Sequence, residues 1–487
     1  MTLNMDFRLC FCAPDLHLGP LTWFKIESAA AADKACGLRR QRNGDMPQPS
    51  AFLLSPQPRA RWMRFDTAQL LKRFFFCERA LLVSQAAWIP AIAPLEIKTT
   101  LARFIWLNAE TAHALRNRVF ELRFPSRLLE EEGADHSLIE LFSAIKDSPS
   151  VPALLMSIGK VLLPALRDSY QAYLQASDSI ADGPTHRFLS LALSEKAEQI
   201  STFEVWTGSA LSRNPELRED AIAWTQGVAN RLSDVGGVGV GPLAEATAIG
   251  PLPGSKAYTI PDRPARDPRF WPCRFYWPDV VDPTYPYGEG MQLQLRSAIS
   301  HLNEVWAIEA GGIILSAFAD VLPWEWIHDS ARWTYDESRH CRMGYERLIA
   351  WGLDPAEIPL GTYIYESASS GRSTEVALYF LGMLYFFETK NIRHKPARAQ
   401  LFHSYGDSLS EHDMDFDWAD ETMHAGYGKH WLRELLAARD EDPAAYDRVR
   451  ERCQKLVNDY VSTATADELS EIKKVASTLI SKAAHKS

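Results

Sequence analysis

The sequence predicts an all-α protein whose C-terminal half is a four-helix bundle. Apolar residues recur at the spacing of amphipathic helices over residues 67–232 and again over residues 291–436. Between these two stretches lies a segment rich in Gly and Pro, a composition that interrupts helices and marks a boundary. A chain of 487 residues with 46% hydrophobic composition is also long enough for more than one core. We therefore expect a second, helical domain on the N-terminal side of the bundle.

This pattern divides the chain into five segments. Residues 1–62 lack sustained periodicity and are expected to be an irregular extension. Residues 63–232 form the helical N-terminal domain, and residues 233–290 form a linker or lid. The second half of that linker is rich in aromatic residues, which favours packing because such side chains bury large areas. Residues 291–440 form the bundle, and residues 441–487 form a helical C-terminal tail.

The composition argues against nucleic-acid and membrane partners. The chain has 52 Lys and Arg against 62 Asp and Glu, a net charge of −10, so it lacks the positive field that phosphate-backbone binding needs. The longest apolar run, near residues 376–387, is shorter than the ~20 residues that span a bilayer, and we identify no signal peptide. Seven scattered cysteines without zinc-site spacing are typical of a reducing compartment. These features predict a cytoplasmic protein.

Two Glu-x-x-His motifs in the C-terminal half are typical of a metal site. The first joins Glu337 to His340, and the second joins Glu421 to His424. Side chains three residues apart on a helix lie on the same face, so each motif offers a carboxylate and an imidazole to one ion. A single motif arises easily by chance in a chain with 13 His. The two motifs together are stronger evidence, because similar residues precede each of them.

Each motif is preceded by a glutamate at the same distance. Glu304 lies 33 residues before Glu337, and Glu388 lies 33 residues before Glu421. This repeated spacing predicts two antiparallel helical hairpins, each carrying one lone glutamate and one Glu-x-x-His motif.

Turn-forming residues support this hairpin geometry. They stand near the two midpoints, at residues 320–323 and 404–407. Each arm is then about 16 residues long, or ~24 Å at 1.5 Å per residue, which brings each lone glutamate level with its motif. Residues 352–372 supply the crossover between the hairpins. Two packed hairpins would therefore present four carboxylates and two imidazoles to one interior point.

This ligand set predicts a site for two divalent metal ions. Burying four carboxylates without cations is very costly, whereas two divalent ions neutralise them. Ligation that is rich in oxygen, with two nitrogens and no thiolate, favours Fe(II), Mn(II) or a mixed pair over copper or structural zinc. The same arrangement is known from di-iron and di-manganese helical bundles.

On these motifs the chain resembles the ferritin-like superfamily, in particular bacterial ferritin-like proteins that carry Asp-Glu-x-x-His in two helices. The resemblance covers residues 292–436. It implies a bundle that binds two iron ions, with manganese or a mixed pair as options. The ligands that it implies are two bridging carboxylates, two terminal carboxylates and two imidazoles: Glu337 and Glu421, Glu304 and Glu388, His340 and His424.

Two aspartates next to the motifs resemble residues that position the ligands. Asp336 and Asp420 match the family positions that accept a hydrogen bond from the non-coordinating nitrogen of a ligand His. The alternative is that either is a surface residue.

Glu309 is an alternative ligand to Glu304 on the same predicted helix. Five residues further on, it points about 140° away around the helix, so both glutamates cannot face one ion equally. The 33-residue spacing favours Glu304. Nearby, the glycines at 311–312 either leave volume for a substrate or permit close helix packing.

The N-terminal segment repeats part of the pattern. Glu110 and His113 form a third Glu-x-x-His motif, and Glu78 precedes it by 32 residues. Residues 217–232, where a partner motif should stand, contain no His. We interpret this segment as a degenerate ferritin-like bundle with a relic site; the alternative is a functional site that uses Glu110 and His113.

The resemblance implies a non-haem di-iron oxidase or oxygenase. Such an enzyme would use dioxygen, a small organic substrate and an external electron donor. A metal-handling protein that oxidises iron without an organic substrate is the first alternative, and a non-catalytic scaffold is the second. A homodimer is a candidate assembly.

Overall fold

The chain folds almost entirely as helices. The computed structural model describes residues 59, 61–242, 250–369 and 375–484, so the extension expected at residues 1–62 lies largely outside the described residues. The helices before the Gly- and Pro-rich segment are α1 (Arg64–Trp88), α2 (Leu95–Glu121), α3 (His136–Ala144), α4 (Val151–Ser157), α5 (Leu163–Ala176), α6 (Gly183–Arg213) and α7 (Arg218–Asp234). The predicted all-α class is confirmed.

In the described residues of the C-terminal half, ten further helices follow, together with the two strands of a small sheet. Its helices are α8 (Pro278–Val281), α9 (Met291–Asn303), α10 (Val305–Phe318), α11 (Trp324–Ala350), α12 (Tyr363–Ser369), α13 (Val376–Asn391), α14 (Lys395–Ser404), α15 (Ser408–Ala438), α16 (Tyr446–Val461) and α17 (Ala466–Ala484). Strands β1 (Trp271–Cys273) and β2 (Pro359–Gly361) pair in parallel. Across the described parts of the chain, we find no helix with the length and apolarity that crossing a membrane requires.

Helices from both halves of the chain share one hydrophobic core. One cluster of buried apolar residues in mutual contact has members from Ala68 in α1 to Ala483 in α17. Helix α1 packs on α2 and on α10, and α2 packs along α11. The two stretches of helical periodicity therefore cover each other's apolar faces.

The Gly- and Pro-rich segment is packed rather than extended into solvent. Its strand β1 pairs with β2, which lies in the crossover between the two predicted hairpins. Phe270, Phe275 and Trp277 are buried in the common core. Large aromatic areas removed from water hold the segment against the C-terminal helices, as its composition predicts.

Two adjacent glycines allow α10 to approach its neighbours closely. A Cβ at Gly311 would lie 2.4 Å from Thr334 Oγ1 on α11, and a Cβ at Gly312 would lie 2.4 Å from the carbonyl oxygen of Ala86 on α1. No larger residue fits these distances without displacement. Of the two sequence-based interpretations, close helix packing is the one that the structure supports.

The predicted turns are present, but two of the helical arms are interrupted. The chain turns at residues 319–323 and 405–407, near the expected midpoints. Glu304 separates α9 from α10, and residues 392–394 separate α13 from α14. Pro396, at the second position of α14, explains the latter break, because proline cannot donate the backbone hydrogen bond that a continuous helix needs there. The structure therefore divides two of the four helical arms into shorter helices.

Candidate metal centre

Four helical arms bring the six predicted side chains together. Helix α11 carries Glu337 and His340, α15 carries Glu421 and His424, Glu304 lies at the α9–α10 break, and Glu388 lies near the end of α13. Their potential ligand atoms form overlapping groups within 4.8 Å: Glu304 with Glu337 and His340, Glu337 with Glu388 and His424, and His340 with Asp417 and Glu421. We refer to these seven residues as the carboxylate cluster.

Both imidazoles direct Nδ1 towards the carboxylates. His340 Nδ1 lies 3.5 Å from Glu304 Oε2 and 3.7 Å from Glu337 Oε2. His424 Nδ1 lies 3.2 Å from Glu337 Oε1 and 3.7 Å from Glu388 Oε1. Glu337 thus offers one oxygen to each imidazole and stands between two halves of the cluster, the His340 half and the His424 half.

One aspartate contacts the Nε2 edge of each imidazole, opposite the Nδ1 edge that faces the carboxylates. Asp420 Oδ2 lies 3.2 Å from His340 Nε2, and Asp336 Oδ2 lies 3.3 Å from His424 Nε2. Each aspartate therefore serves the histidine of the other motif, which links α11 to α15. A carboxylate that accepts the Nε2 proton fixes the tautomer of the neutral ring, in which Nδ1 carries the lone pair that a metal ion would take. Both aspartates are buried rather than on the surface.

Asp417 is a seventh residue of the cluster that the sequence reasoning missed. It is fully buried one turn before Glu421, and its Oδ1 lies 3.6 Å from His340 Nδ1. Spacings of four and seven residues to Glu421 and His424 place all three on one helical face. That spacing is the signal that could have identified it.

A buried histidine and arginine hold Asp417 from behind. His301 Nε2 lies 3.1 Å from Asp417 Oδ2, and Arg347 Nη2 lies 2.5 Å from His301 Nδ1. Burial lowers the pKa of His301 to about 3, so its ring is neutral. Nδ1 then accepts from Arg347, and Nε2 donates to Asp417. His301 is therefore a hydrogen-bonded core histidine.

A lysine ammonium also lies inside the cluster. Lys395, the first residue of α14, is only 5% exposed. Its Nζ pairs with Asp417 Oδ2 and lies 2.6 Å from Glu421 Oε1. Burial opposes its charge, but the carboxylates of Asp417 and Glu421 outweigh burial and raise the pKa of Lys395, so the ammonium stays charged. No motif in the sequence marks this residue.

The shifted pKa values in the cluster reflect its excess of buried negative charge. Burial raises the pKa of Glu304 and Glu421, and raises the pKa of Glu388 to about 7. Burial opposes protonation of His340 and His424, yet the surrounding carboxylates raise the pKa of both rings well above the ordinary value. In the absence of metal, protons therefore supply part of the positive charge that these groups need.

The residues present fit a pair of divalent cations. Several buried atoms facing the centre have no hydrogen-bond partner among the described residues: Glu304 Oε2, His340 Nδ1, Asp417 Oδ1 and His424 Nδ1. Buried polar atoms without partners are rare and costly. In the part of the chain that the structure describes, the carboxylates of Glu304, Glu337, Glu388, Asp417 and Glu421 face a single ammonium, Lys395. That imbalance of four negative charges equals the charge of two divalent ions.

A cavity of about 520 Å³ reaches the cluster. The cluster carboxylates at its base are Glu304, Glu337, Glu388 and Glu421. The aromatic part of the Gly- and Pro-rich segment contributes Tyr276 and Tyr287 to its wall, so the predicted linker or lid lines the approach to the cluster. The rest of the lining mixes charged groups, such as Arg296 and Arg398, with apolar side chains such as Val280, Ile364 and Phe387. The volume lies within the range of pockets that bind small organic molecules.

Glu309, the alternative ligand, lies elsewhere. Its carboxylate is fully buried and pairs with Lys98 and Arg266. It faces the side of α10 that packs on the N-terminal helices, as the five-residue offset from Glu304 requires. The structure therefore does not support Glu309 as a ligand in the cluster.

The N-terminal residues do not converge on one point. Glu78 is buried, with Oε2 2.9 Å from Lys196 Nζ and Oε1 2.6 Å from the Tyr170 hydroxyl. The motif residues instead face α11, where Glu110 Oε1 lies 2.6 Å from His328 Nε2.

His113 also turns away from Glu78. The indole nitrogen of Trp324 donates to its Nδ1 at 3.1 Å. Within the described parts of the chain, no metal-type cluster includes Glu78, Glu110 or His113. The alternative of a functional site built on Glu110 and His113 is not supported, because these side chains face His328 and Trp324 rather than Glu78.

The comparisons with known proteins bear on the same part of the chain. Residues 252–475 match the model of a family described as "Protein of unknown function (DUF455)". No match was found among curated proteins or among solved structures. The matched span contains the whole carboxylate cluster and Lys395, and it leaves out the helices α1 to α7.

Proposed function

We propose that the chain is a ferritin-like, non-haem di-iron enzyme that uses dioxygen to oxidise a small organic substrate. The observation that carries this proposal is the convergence of two Glu-x-x-His motifs and two further glutamates, each buried or nearly so, on one interior point. Two helical hairpins with this ligand pattern are the arrangement of di-iron and di-manganese carboxylate bundles.

The two halves of the cluster would each hold one iron. Glu304 and His340 would serve one ion, Glu388 and His424 the other, with Glu337 shared between them. Glu421 lies in the His340 half, beside Lys395. A bound ferrous pair would supply the electrons that reduce dioxygen, with an external donor restoring them.

The protein's own groups orient the ligands. Asp336 and Asp420 hold the Nε2 protons of the two histidines, so that each Nδ1 lone pair faces the centre. The indole nitrogen of Trp333 donates to Glu337 Oε1 and to Glu388 Oε1, at 3.1 Å in each case. These hydrogen bonds fix carboxylate orientation before metal arrives, which reduces the reorganisation that binding requires.

The cavity favours an organic substrate over iron oxidation alone. Beside polar and charged groups, its wall carries aromatic and aliphatic side chains close to the carboxylates, which an organic substrate would contact and an iron ion would not need. Side chains such as Trp306 and Phe387 would keep water away from the substrate.

Anaerobic reconstitution followed by exposure to air tests the proposal. The full chain is loaded with Fe(II), the bound metal is counted, and dioxygen consumption is measured with a reductant and a panel of small organic molecules. We expect two irons per chain and uptake that depends on one class of organic molecule. Uptake with iron alone would identify a metal-handling protein, and a chain that binds no metal would be a scaffold.

Two variants on the same helix provide matched controls. Glu337→Gln removes the charge of the carboxylate shared by both halves, and should abolish iron binding and dioxygen uptake together. Glu346→Gln removes an exposed charge from α11, where Glu346 pairs with Arg342, and should change neither. Equal iron loading of the two variants would contradict the assignment of the cluster.

A further inference from the structure

The position of Lys395 makes the two halves of the carboxylate cluster unequal. Its ammonium contacts Asp417 and Glu421, both of which belong to the group that contains His340. In the His424 half, Glu337 and Glu388 pair with imidazoles and with the Trp333 indole. Among the described residues, neither glutamate forms an ion pair with a Lys or Arg. One half of the cluster therefore already holds a positive charge from the chain, and the other does not.

The helix break places the ammonium there. Pro396 ends the continuity of the second hairpin, and α14 restarts with Lys395 facing α15. A continuous helix through residues 392–396 would follow a different path. The chain thus departs from a regular hairpin at the point where it inserts a cation beside Glu421.

We propose that Lys395 is a resident cation that competes with the metal of the His340 half, so that the two metal positions fill in order. The His424 half binds the first divalent ion. The second ion binds the His340 half when the ammonium gives up Glu421. This inference rests on the proposed two-metal function of the same cluster.

The charge balance indicates which carboxylate the Lys395 ammonium keeps when the second ion binds. Five carboxylates and one ammonium leave four negative charges, which two divalent ions neutralise only if Lys395 stays in the cluster. Asp417 is the partner that it can keep, because His301 and Arg347 hold that carboxylate in place from behind. Lys395 therefore retains Asp417 and releases Glu421, a small movement that needs no change of the backbone.

Competition of this kind lowers metal affinity in one half only. A unit positive charge that contacts a ligand carboxylate opposes a divalent ion at the same place, and the effect falls with distance and with screening. Removing the ammonium should therefore tighten the second metal by about tenfold or more while leaving the first within about threefold. A merely structural lysine would not separate the two metals in this way.

Manganese titration monitored by electron paramagnetic resonance tests the order of filling. Mn(II) is added to the metal-free full chain, and free ion, isolated bound ion and spin-coupled pairs are counted at each ratio. For the wild-type chain we expect isolated bound Mn(II) up to one equivalent and coupled pairs only beyond it. In Lys395→Met coupled pairs should appear before one equivalent is reached, because the two positions then fill side by side.

Two further variants separate competition from a general charge effect. Lys395→Arg keeps a competing cation and should retain ordered filling, which also covers the case in which Lys395→Met fails to fold. Lys429→Met removes an exposed charge from α15, where Lys429 lies over the ring of Tyr446, and should titrate like the wild type.

The outcomes distinguish this inference from the proposed function. Coupled pairs from the first addition in the wild type, or unchanged order in Lys395→Met, would overturn the role of Lys395 while leaving the two-metal cluster intact. A weaker second metal in Lys395→Met would overturn it as well, because the lysine would then be supporting Glu421 as a ligand. Failure of the wild type to bind Mn(II) and Fe(II) at all would overturn the metal function itself.

Discussion

Two regions of this molecule bury glutamates on helical hairpins, and they balance the charge differently. In the N-terminal region Glu78 meets Lys196 and the Tyr170 hydroxyl, and Lys196 also donates to Asn108. One carboxylate faces one ammonium, and the charges cancel within the chain. In the C-terminal cluster five carboxylates face one ammonium, so cancellation requires ions or protons from solution.

The comparison teaches that a Glu-x-x-His motif is not enough to define a metal site. Glu110 and His113 have the right spacing, but their side chains face α11 and pair with His328 and Trp324. What distinguishes the C-terminal motifs is the excess of buried acceptors without partners. Replacing residues at matching positions in the two regions therefore tests whether unbalanced buried charge is what binds the metal.

The largest effect is expected from matching replacements in two motifs. Glu421→Ala should abolish binding of the metal pair, because it removes a carboxylate from the cluster and leaves Lys395 free to occupy it. Glu110→Ala removes the glutamate at the same motif position in the N-terminal region and should leave metal content unchanged. Metal analysis after Fe(II) or Mn(II) loading measures both. Full loading of the Glu421 variant would show that the site is misassigned.

As the pH rises, the stability of the metal-free protein should fall while its affinity for metal increases. Burial raises the pKa of Glu388 from its ordinary value of 4.5 to about 7, and the pKa values of Glu304 and Glu421 are also raised. A carboxyl with a raised folded-state pKa contributes stability below its unfolded-state pKa, and loses that contribution as the pH rises through the folded-state value. The metal-free protein should therefore lose stability between pH 4.5 and pH values above about 7.

Metal binding should strengthen over the same pH window, because each ion replaces protons on these groups. Thermal unfolding midpoints of the metal-free and Mn(II)-loaded chain across the window would measure both effects. The difference between the two midpoints should grow as the pH rises. A difference that shrinks would mean that these carboxyls do not exchange protons for metal.

A third prediction concerns the self-neutralised pair in the N-terminal region. Glu78→Leu leaves the Lys196 ammonium buried without its partner, and should lower the free energy of unfolding by about 3–5 kcal/mol without changing metal stoichiometry. The double variant Glu78→Leu with Lys196→Met removes both charges and should recover most of the loss. Urea unfolding at fixed metal loading compares the two. A double variant as unstable as the single one would argue against charge pairing as the cause.

The smallest effect is expected from the residues behind the histidines. Asp420→Asn weakens the acceptor for His340 Nε2 and should reduce metal affinity about 10- to 100-fold, with two ions still bound at high concentration. The equivalent change in α11, Asp336→Asn, should act through His424 to a similar extent. Competition with a chelator measures the affinities. Asp336 also pairs with Arg332 and Arg339, and Asp420 pairs with Arg339. Unchanged affinity in both variants would assign the aspartates to these ion pairs alone.

Helical class, turns and six cluster residues could be predicted because each depends on local sequence. Periodicity indicates helices, Gly and Pro indicate turns, and equal spacing brings Glu304 and Glu388 level with their motifs. Asp417 was within reach of the same reasoning, since it shares the helical face of Glu421. The place of Lys395 in the cluster could not be predicted, because it depends on how the chain continues after the break at Pro396.

The joint core of the two halves could not be predicted from the sequence either. An apolar face shows that a helix is covered, but not by which partner. The contact of Gly312 with the carbonyl of Ala86 and the burial of Glu309 against Lys98 join residues more than 200 positions apart. Pairings over such distances depend on the whole fold rather than on any local pattern.

The shared core has a practical consequence for dividing the protein. A polypeptide cut at residue 252 would keep every side chain of the cluster but would strip the cover from α10 and α11. Glu309 would lose Lys98, and the ring of Trp324 would lose its edge contact with Phe75. Such a fragment would expose a broad apolar face and aggregate rather than bind ions, so any shorter relative with the same cluster must shield that face by other means.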